Sequence, residues 1–286
     1  MGIAKRNQII QDWLTQQWVI LFGVKLDHSK HKWLLGPFGG TSGIGRKFVE
    51  KLAKDEKLII DNDGINKGLL DSFDLLNLAQ DQLEKLSPNL IDFYQNTSNY
   101  ELLFKANLNP FFKVSGILLK RLFSHRIEQL NIPIKNLGEA SSLSNEIIKL
   151  LDSETKEVQR TIWLRAIKST AEVIYSGVYE PCTLPSRQTC IKAVFPLPNG
   201  NATVILKPSV GENGDLILDS SGQKLGDSGF YFLLEDAKGQ LWAKFISSFK
   251  DKLVLSSEGN RIRAIQTLSL WNLKVLKFEY EIKKLP

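Results

Sequence analysis

Leu276-Lys277-Phe278-Glu279-Tyr280-Glu281-Ile282-Lys283 alternates apolar and charged residues without a break. Side chains along a strand point to opposite faces in turn, so this spacing predicts a strand with one buried and one wet face. Working back from it, less regular alternation recurs at 161–168, 172–180, 190–197, 201–207, 215–219, 229–235, 240–247, 252–256 and 262–270. Asn199-Gly200, Asn213-Gly214, Lys238-Gly239 and Glu258-Gly259 stand where antiparallel strands would reverse. About ten antiparallel strands in such a stretch suffice to close or nearly close a barrel, which removes the exposed sheet edges.

Before residue 158 the spacing is helical. Ile9, Ile10, Trp13, Leu14, Trp18 and Leu21 recur at three- and four-residue steps within 1–24, the pattern of an amphipathic helix. Further helices are predicted at 47–54, at 79–86, from Ser87-Pro88 onward, at 111–127 after Asn109-Pro110, and at 143–151. The expected fold is α+β: a mainly helical portion, 1–157, packed on an antiparallel β-barrel-like sheet, 158–286.

The chain has 286 residues, 43% of them hydrophobic, and a formal charge of +6, enough to bury a sizeable core. So mild a basic excess fits solubility and is not a polybasic tract. No stretch approaches the roughly 20 apolar residues that span a bilayer. Asp12, Gln16 and Gln17 interrupt what a signal peptide would need, and Arg6 stands where a myristoylation signal wants Ser or Thr. Cys182 and Cys190 are too few for a disulfide scaffold or a zinc site, but flank a short connection and could face each other across a hairpin. A cytoplasmic protein with reduced thiols is expected.

Gly39-Gly40-Thr41-Ser42-Gly43-Ile44-Gly45 resembles the glycine loop of short-chain dehydrogenases, in which backbone amides approach a dinucleotide phosphate. Such a loop must leave the end of a buried parallel strand, and Trp33-Leu34-Leu35-Gly36-Pro37 is at best a truncated one. The Tyr-x-x-x-Lys pair of that family occurs only as Tyr280 and Lys284, in the last predicted strand. The loop therefore reads as a decoy, and an NAD(P)-dependent oxidoreductase is the alternative reading; no cofactor is expected.

Several stretches together resemble a functionally uncharacterised family of bacterial proteins: Trp33 to Pro37, Asp92-Phe93-Tyr94-Gln95-Asn96-Thr97-Ser98-Asn99-Tyr100, Leu122 to Pro133, Val194 to Asn201, and Gly226-Asp227-Ser228-Gly229-Phe230-Tyr231-Phe232. The resemblance spans roughly 33–285 and brings no established activity. The Thr41-Ser42-Gly43 insertion, which creates the dinucleotide look-alike, departs from it.

The basic stretch 105–135, with Phe111, Phe112, Ile117, Leu118 and Leu119, reads as a core helix with a solvated basic face or as a peripheral membrane contact through 110–127. Nucleic acid is not expected, because the basic residues follow one helix. His28 and His31 lack metal-ligating neighbours, so no metal is expected. A barrel interior of Leu, Phe and Ile with a few polar groups suits a hydrophobic small molecule, such as a lipid, isoprenoid or polyketide, and a cofactor-independent cyclisation or isomerisation within it. Candidate catalytic residues are Asp227, Tyr231, Tyr179 and Glu180, as an acid or an oxyanion donor. Candidate ligand-binding residues are Arg165, Tyr175 and Trp242. Each could equally be a turn cap or a satisfied strand side chain, Asp227 above all.

Overall fold

The computed structural model describes residues 2–5, 10–40, 45–61, 67–109 and 140–286. The first half of the chain supplies α1 (Ile10–Phe22), β1 (Val24–Lys25), α2 (Arg46–Asp55), β2 (Leu58–Ile60), α3 (Gln80–Lys85), α4 (Pro88–Gln95), β3 (Tyr100–Leu108) and β4 (Ser141–Asp152). The second half supplies β5 (Val158–Ile167), β6 (Val173–Thr183), β7 (Thr189–Leu197), β8 (Gly200–Val210), β9 (Leu216–Asp219), β10 (Gly229–Glu235), β11 (Leu241–Phe245), β12 (Phe249–Glu258), β13 (Arg261–Leu270) and β14 (Leu273–Lys284). As the alternation requires, Phe278, Tyr280 and Ile282 of β14 are buried.

Ten strands close into an antiparallel barrel: β3 through β9 in sequence, then β12, β13 and β14, which returns to β3. Closure depends on β8, whose far half pairs with the short β9 while its near half, Gly200–Ile205, pairs with β10. The sheet thus branches at β8, and β10, β11 and β1 form a flap outside the ring. Beyond β9 the seam continues through Ser220, whose N–H donates to the Asp251 carbonyl at 2.9 Å and whose Oγ accepts from the Asp251 N–H at 2.7 Å.

The turn signals act as predicted. Asn199 takes a left-handed φ of 57°, and at Gly200 a Cβ would stand 2.3 Å from the Leu233 carbonyl oxygen, so only glycine lets β10 approach β8 here.

Two expectations fail. The predicted helix at 143–151 is strand β4, and the barrel takes β3 and β4 from the portion expected to be mainly helical, so residue 158 is not the boundary of the sheet. The reason is burial on both faces. Leu143 and Ile147 point into the barrel core, whereas Ile148 and Leu150 lie under Phe48, Val49 and Leu52 of α2. A strand buried on both sides loses its alternation, and a bulge at Leu150/Leu151 shifts what remains, leaving a spacing that imitates a helix. The predicted helix at 111–127 lies outside the described residues.

The segment 69–94 stops one mouth of the barrel. Leu69, Leu70, Phe73, Leu90, Phe93 and Tyr94 share one buried cluster with the inward residues of the strands. Asn89 Nδ2 donates to Ser257 Oγ at 3.0 Å and to the Gly259 carbonyl at 2.9 Å, and the Ser87 N–H donates to the Gly214 carbonyl at 3.2 Å, so the plug is fastened to two of the turns at that rim. Gly68 allows the close approach, since a Cβ there would lie 2.3 Å from the Tyr94 oxygen.

Cys182 and Cys190 face each other in the β6–β7 register, both buried and free. Burial pushes both thiols up to about 12, which keeps them protonated and unreactive.

Candidate functional site

Inside the barrel lies a cavity of about 80 Å³, and its plugged end is walled by Leu69, Leu70, Phe93 and Tyr94. Most of its lining is apolar, as inward positions of a closed sheet must be. Apart from Glu180 of β6, whose carboxylate pairs with Lys192 and Arg160, the exceptions are Arg165 of β5, Tyr175 and Tyr179 of β6, Asp251 of β12, Gln266 of β13 and Tyr280 of β14.

Arg165 is 7% exposed and sandwiched between aromatic rings, its guanidinium carbon 4.0 Å from the Trp163 ring centre and 4.4 Å from that of Tyr175. Its Nη2 donates to Tyr179 Oη at 3.3 Å. Its Nε has no partner among the described residues. An arginine keeps its proton at any accessible pH, so this is a buried cation held by ring faces and phenols rather than by a carboxylate.

Asp251 is the counterpart across the seam. Its Oδ2 accepts from Gln266 Nε2 at 2.7 Å, and its Oδ1 has no partner among the described residues. Burial pushes its carboxyl up to about 7, the Gln266 hydrogen bond holds it back, and the neighbouring Asp219 adds to the rise. Tyr175, Tyr179 and Tyr280 feel both Asp251 and Arg165. Burial raises all three, Tyr280 to about 12, so they stay neutral donors.

Four of the seven residues singled out from the sequence line the cavity, Arg165, Tyr175, Tyr179 and Glu180, and the first three bring their side-chain polar groups together there. The polar groups of the other four are engaged elsewhere. Glu180, next to inward Tyr179, turns its carboxylate to Lys192 at 2.8 Å and Arg160 at 3.1 Å on the outer wall. Asp227 caps a turn, its Oδ2 accepting from the Gln223 N–H at 3.0 Å and the Lys224 N–H at 3.2 Å. Tyr231 is wholly buried in the flap against Trp33 and Phe245, and its hydroxyl donates to the Asp227 carbonyl at 2.5 Å. Trp242 packs beneath α1 and donates from Nε1 to Asp236 Oδ2 at 2.9 Å. For all four the structural role expected of a cap or a satisfied strand residue holds.

Sequence reasoning missed Asp251, Gln266 and Trp163. The signal was parity: Asp251 shares its face with Leu253 and Leu255, and Gln266 shares its face with Ile262 and Ala264.

Of the glycine loop, the described Gly39, Gly40 and Gly45 are not part of the cavity lining. Gly39 makes an isolated bridge to Pro198, its N–H donates to the Leu197 carbonyl at 2.9 Å, and no strand leads into it. Residues 41–44 lie outside the described residues. Every strand pairing among the described residues is antiparallel, so the parallel sheet a dinucleotide site needs is missing there. Tyr280 and Lys284 do not work as a pair either: Tyr280 faces the lumen, and Lys284 Nζ meets Asp92 at 2.7 Å.

A relative occurs in Bacillus subtilis (strain 168). The chain is 24% identical to it over 245 residues, 85% of this chain and 42% of that protein, which is named uncharacterized membrane protein YndJ. The chain thus spans less than half the length of this relative. No family model matches the chain. No solved structure gives a significant match. Among the described residues no helix is long and apolar enough to cross a membrane, and no group of three or more His, Cys, Asp or Glu residues could hold a metal ion.

Proposed function

We propose that the barrel lumen binds a hydrophobic small molecule, oriented by the polar group around Arg165 and Asp251. The observation that supports this reading is a cavity lined mainly by apolar side chains whose lining also includes Arg165 and Asp251, each with one buried atom, Nε and Oδ1, that has no hydrogen-bond partner among the described residues. Buried polar atoms without partners cost stability, so an unfilled donor and acceptor beside an apolar void favour a ligand over simple packing. About 80 Å³ is several times the roughly 10–15 Å³ that one water needs, and well short of the roughly 300 Å³ of a drug-sized pocket. The fit is to a molecule of few non-hydrogen atoms, or to the head of a longer lipid, isoprenoid or polyketide whose tail would need the lumen to open.

If the lumen is also catalytic, Asp251 replaces Asp227 as the acid. A carboxyl poised at about 7 can give and take a proton at neutral pH, and the three neutral phenols can donate to a developing oxyanion. This is the minimum a cofactor-independent isomerisation or cyclisation requires. Native mass spectrometry with organic extraction of the purified protein tests the binding claim. A bound small molecule is expected in the wild type and is expected to vanish in Ala193→Phe, which fills the lumen. A bound species retained by the filled variant would refute the site.

A second reading has its own observation. Ile10, Leu14, Trp18, Leu21 and Phe22 of α1 are 72%, 58%, 39%, 48% and 62% exposed and recur along the helix at three- and four-residue steps, with Lys244 Nζ 6.0 Å from the Trp18 ring centre. An apolar helix face with a tryptophan and a nearby lysine suits the surface of a bilayer, and the Bacillus subtilis relative is named a membrane protein. Flotation with vesicles containing about one-third anionic lipid should carry the wild type but not the Leu14→Glu/Phe22→Glu variant. Equal flotation of both would remove α1 as the contact.

A further inference from the structure

We infer that the ligand of the lumen carries a carboxylate, and that this carboxylate seats on Arg165 with a short apolar tail directed along the cavity. The inference rests on the lumen reading above and narrows it to one class of molecule.

The argument begins with charge. Arg165 is a full positive charge inside the barrel, and the groups that act on it most strongly among the described residues are neutral: Tyr179, Tyr280 and Tyr175. Ring faces offset part of the cost of removing a guanidinium from water, but they leave its charge uncompensated and its Nε–H idle. A ligand anion supplies both missing things at once, a countercharge and an acceptor.

Geometry favours a carboxylate over other anions. The guanidinium is flat and lies over the rings of Trp163 and Tyr175, and a planar fork of donors is the arrangement that matches two carboxylate oxygens. The Tyr179 hydroxyl, 3.3 Å from Nη2, adds a neutral donor at the same edge. One cation balances one negative charge, which disfavours a phosphate dianion, and the volume leaves room for only a few carbons behind the head group. Those carbons would lie against apolar residues of the lining such as Val204, Leu206 and Leu218.

Calorimetric titration of the full chain with isobutyrate, isobutyramide and chloride separates the outcomes. Isobutyrate is expected to bind wild type at least about tenfold more tightly than the isosteric amide, since a charge-assisted pair outweighs a neutral hydrogen bond. That preference should disappear in Arg165→Met and survive in weakened form in Arg165→Lys, which keeps the charge but not the planar fork. Amide and acid binding equally well to wild type would overturn the carboxylate while leaving the lumen reading intact. Chloride competing as strongly as isobutyrate would overturn it too, by reducing Arg165 to an unselective anion trap. No binding of either organic probe to wild type, or equal binding to the lumen-filled Ala193→Phe, would overturn the inference together with the reading it rests on.

Discussion

Replacing Asp251 with Asn should stabilise the protein by on the order of 4 kcal/mol at pH 8 and by almost nothing at pH 4. The sign follows from the folded carboxyl, which burial pushes up to about 7 from an ordinary value of 3.8. A group raised in the folded state contributes its stability in full below the unfolded value. It loses that contribution as pH rises through the folded value. Between about pH 4 and 7 the unfolded chain ionises Asp251 freely while the folded protein must keep it neutral. Above 7 the fold carries a buried carboxylate with one unpartnered oxygen. Asparagine keeps an acceptor for Gln266 Nε2 and never ionises. Urea unfolding of both proteins from pH 4 to 8 is the check. The gap between the two curves should open across the interval, and a constant gap would mean that Asp251 is ionised throughout.

The second large effect is at Arg165. If this side chain is retained for a ligand, the empty protein tolerates it at a cost, and Arg165→Met should stabilise the ligand-free fold by about 1–3 kcal/mol. Methionine is flexible enough to fill the slot between Trp163 and Tyr175 without a polar atom to satisfy. If the guanidinium were instead a structural tie, its removal would destabilise by about 3–5 kcal/mol, as breaking a satisfied buried charge does. Thermal unfolding of extracted, ligand-free protein distinguishes the two by sign alone.

These effects come from residues that the sequence revealed unevenly. The closed antiparallel sheet was legible because β14 has one wet face, and water imposes alternation where it touches a strand. It was illegible in β4, where α2 covers the outer face and the barrel core takes the inner one, so nothing in Ser141–Asp152 had to be polar on a two-residue period. Tyr175, Tyr179 and Arg165 were found because large polar residues in a predicted strand stand out. Glu180, one residue from Tyr179, was chosen for the same reason and faces the opposite way. Which parity points inward depends on register and closure, and closure is set by the pairing of β8 with β9, two strands linked by a turn with no side chain in the site.

Two of the motifs behind the family resemblance have structural explanations, and Leu122 to Pro133 lies outside the described residues. Phe93 and Tyr94 belong to the plug, Tyr100 donates to Asp92 at 2.5 Å, and Asn145 Nδ2 ties β4 to the Thr97 carbonyl at 2.6 Å. In the Gly226 to Phe232 stretch, Gly226 takes φ 100° and its N–H donates to the Tyr231 hydroxyl at 3.2 Å, which fixes the entry into β10. Recognisable text marked the parts that shape the barrel. Phe93, Tyr94 and Phe195 of those motifs also line its cavity, but Asp251 and Gln266 lie in stretches that no motif flagged.

The central claim is that a ligand binds in the lumen and not at the Gly39–Gly45 loop. Nuclear magnetic resonance with labelled tyrosine and glycine tests it most directly, during titration with isobutyrate and, separately, with NADPH. The ring signals of Tyr175, Tyr179 and Tyr280 should move and saturate with isobutyrate, while those of Gly39, Gly43 and Gly45 stay still with both. Saturable shifts of the loop glycines with NADPH, and none of the three tyrosines with isobutyrate, would contradict it.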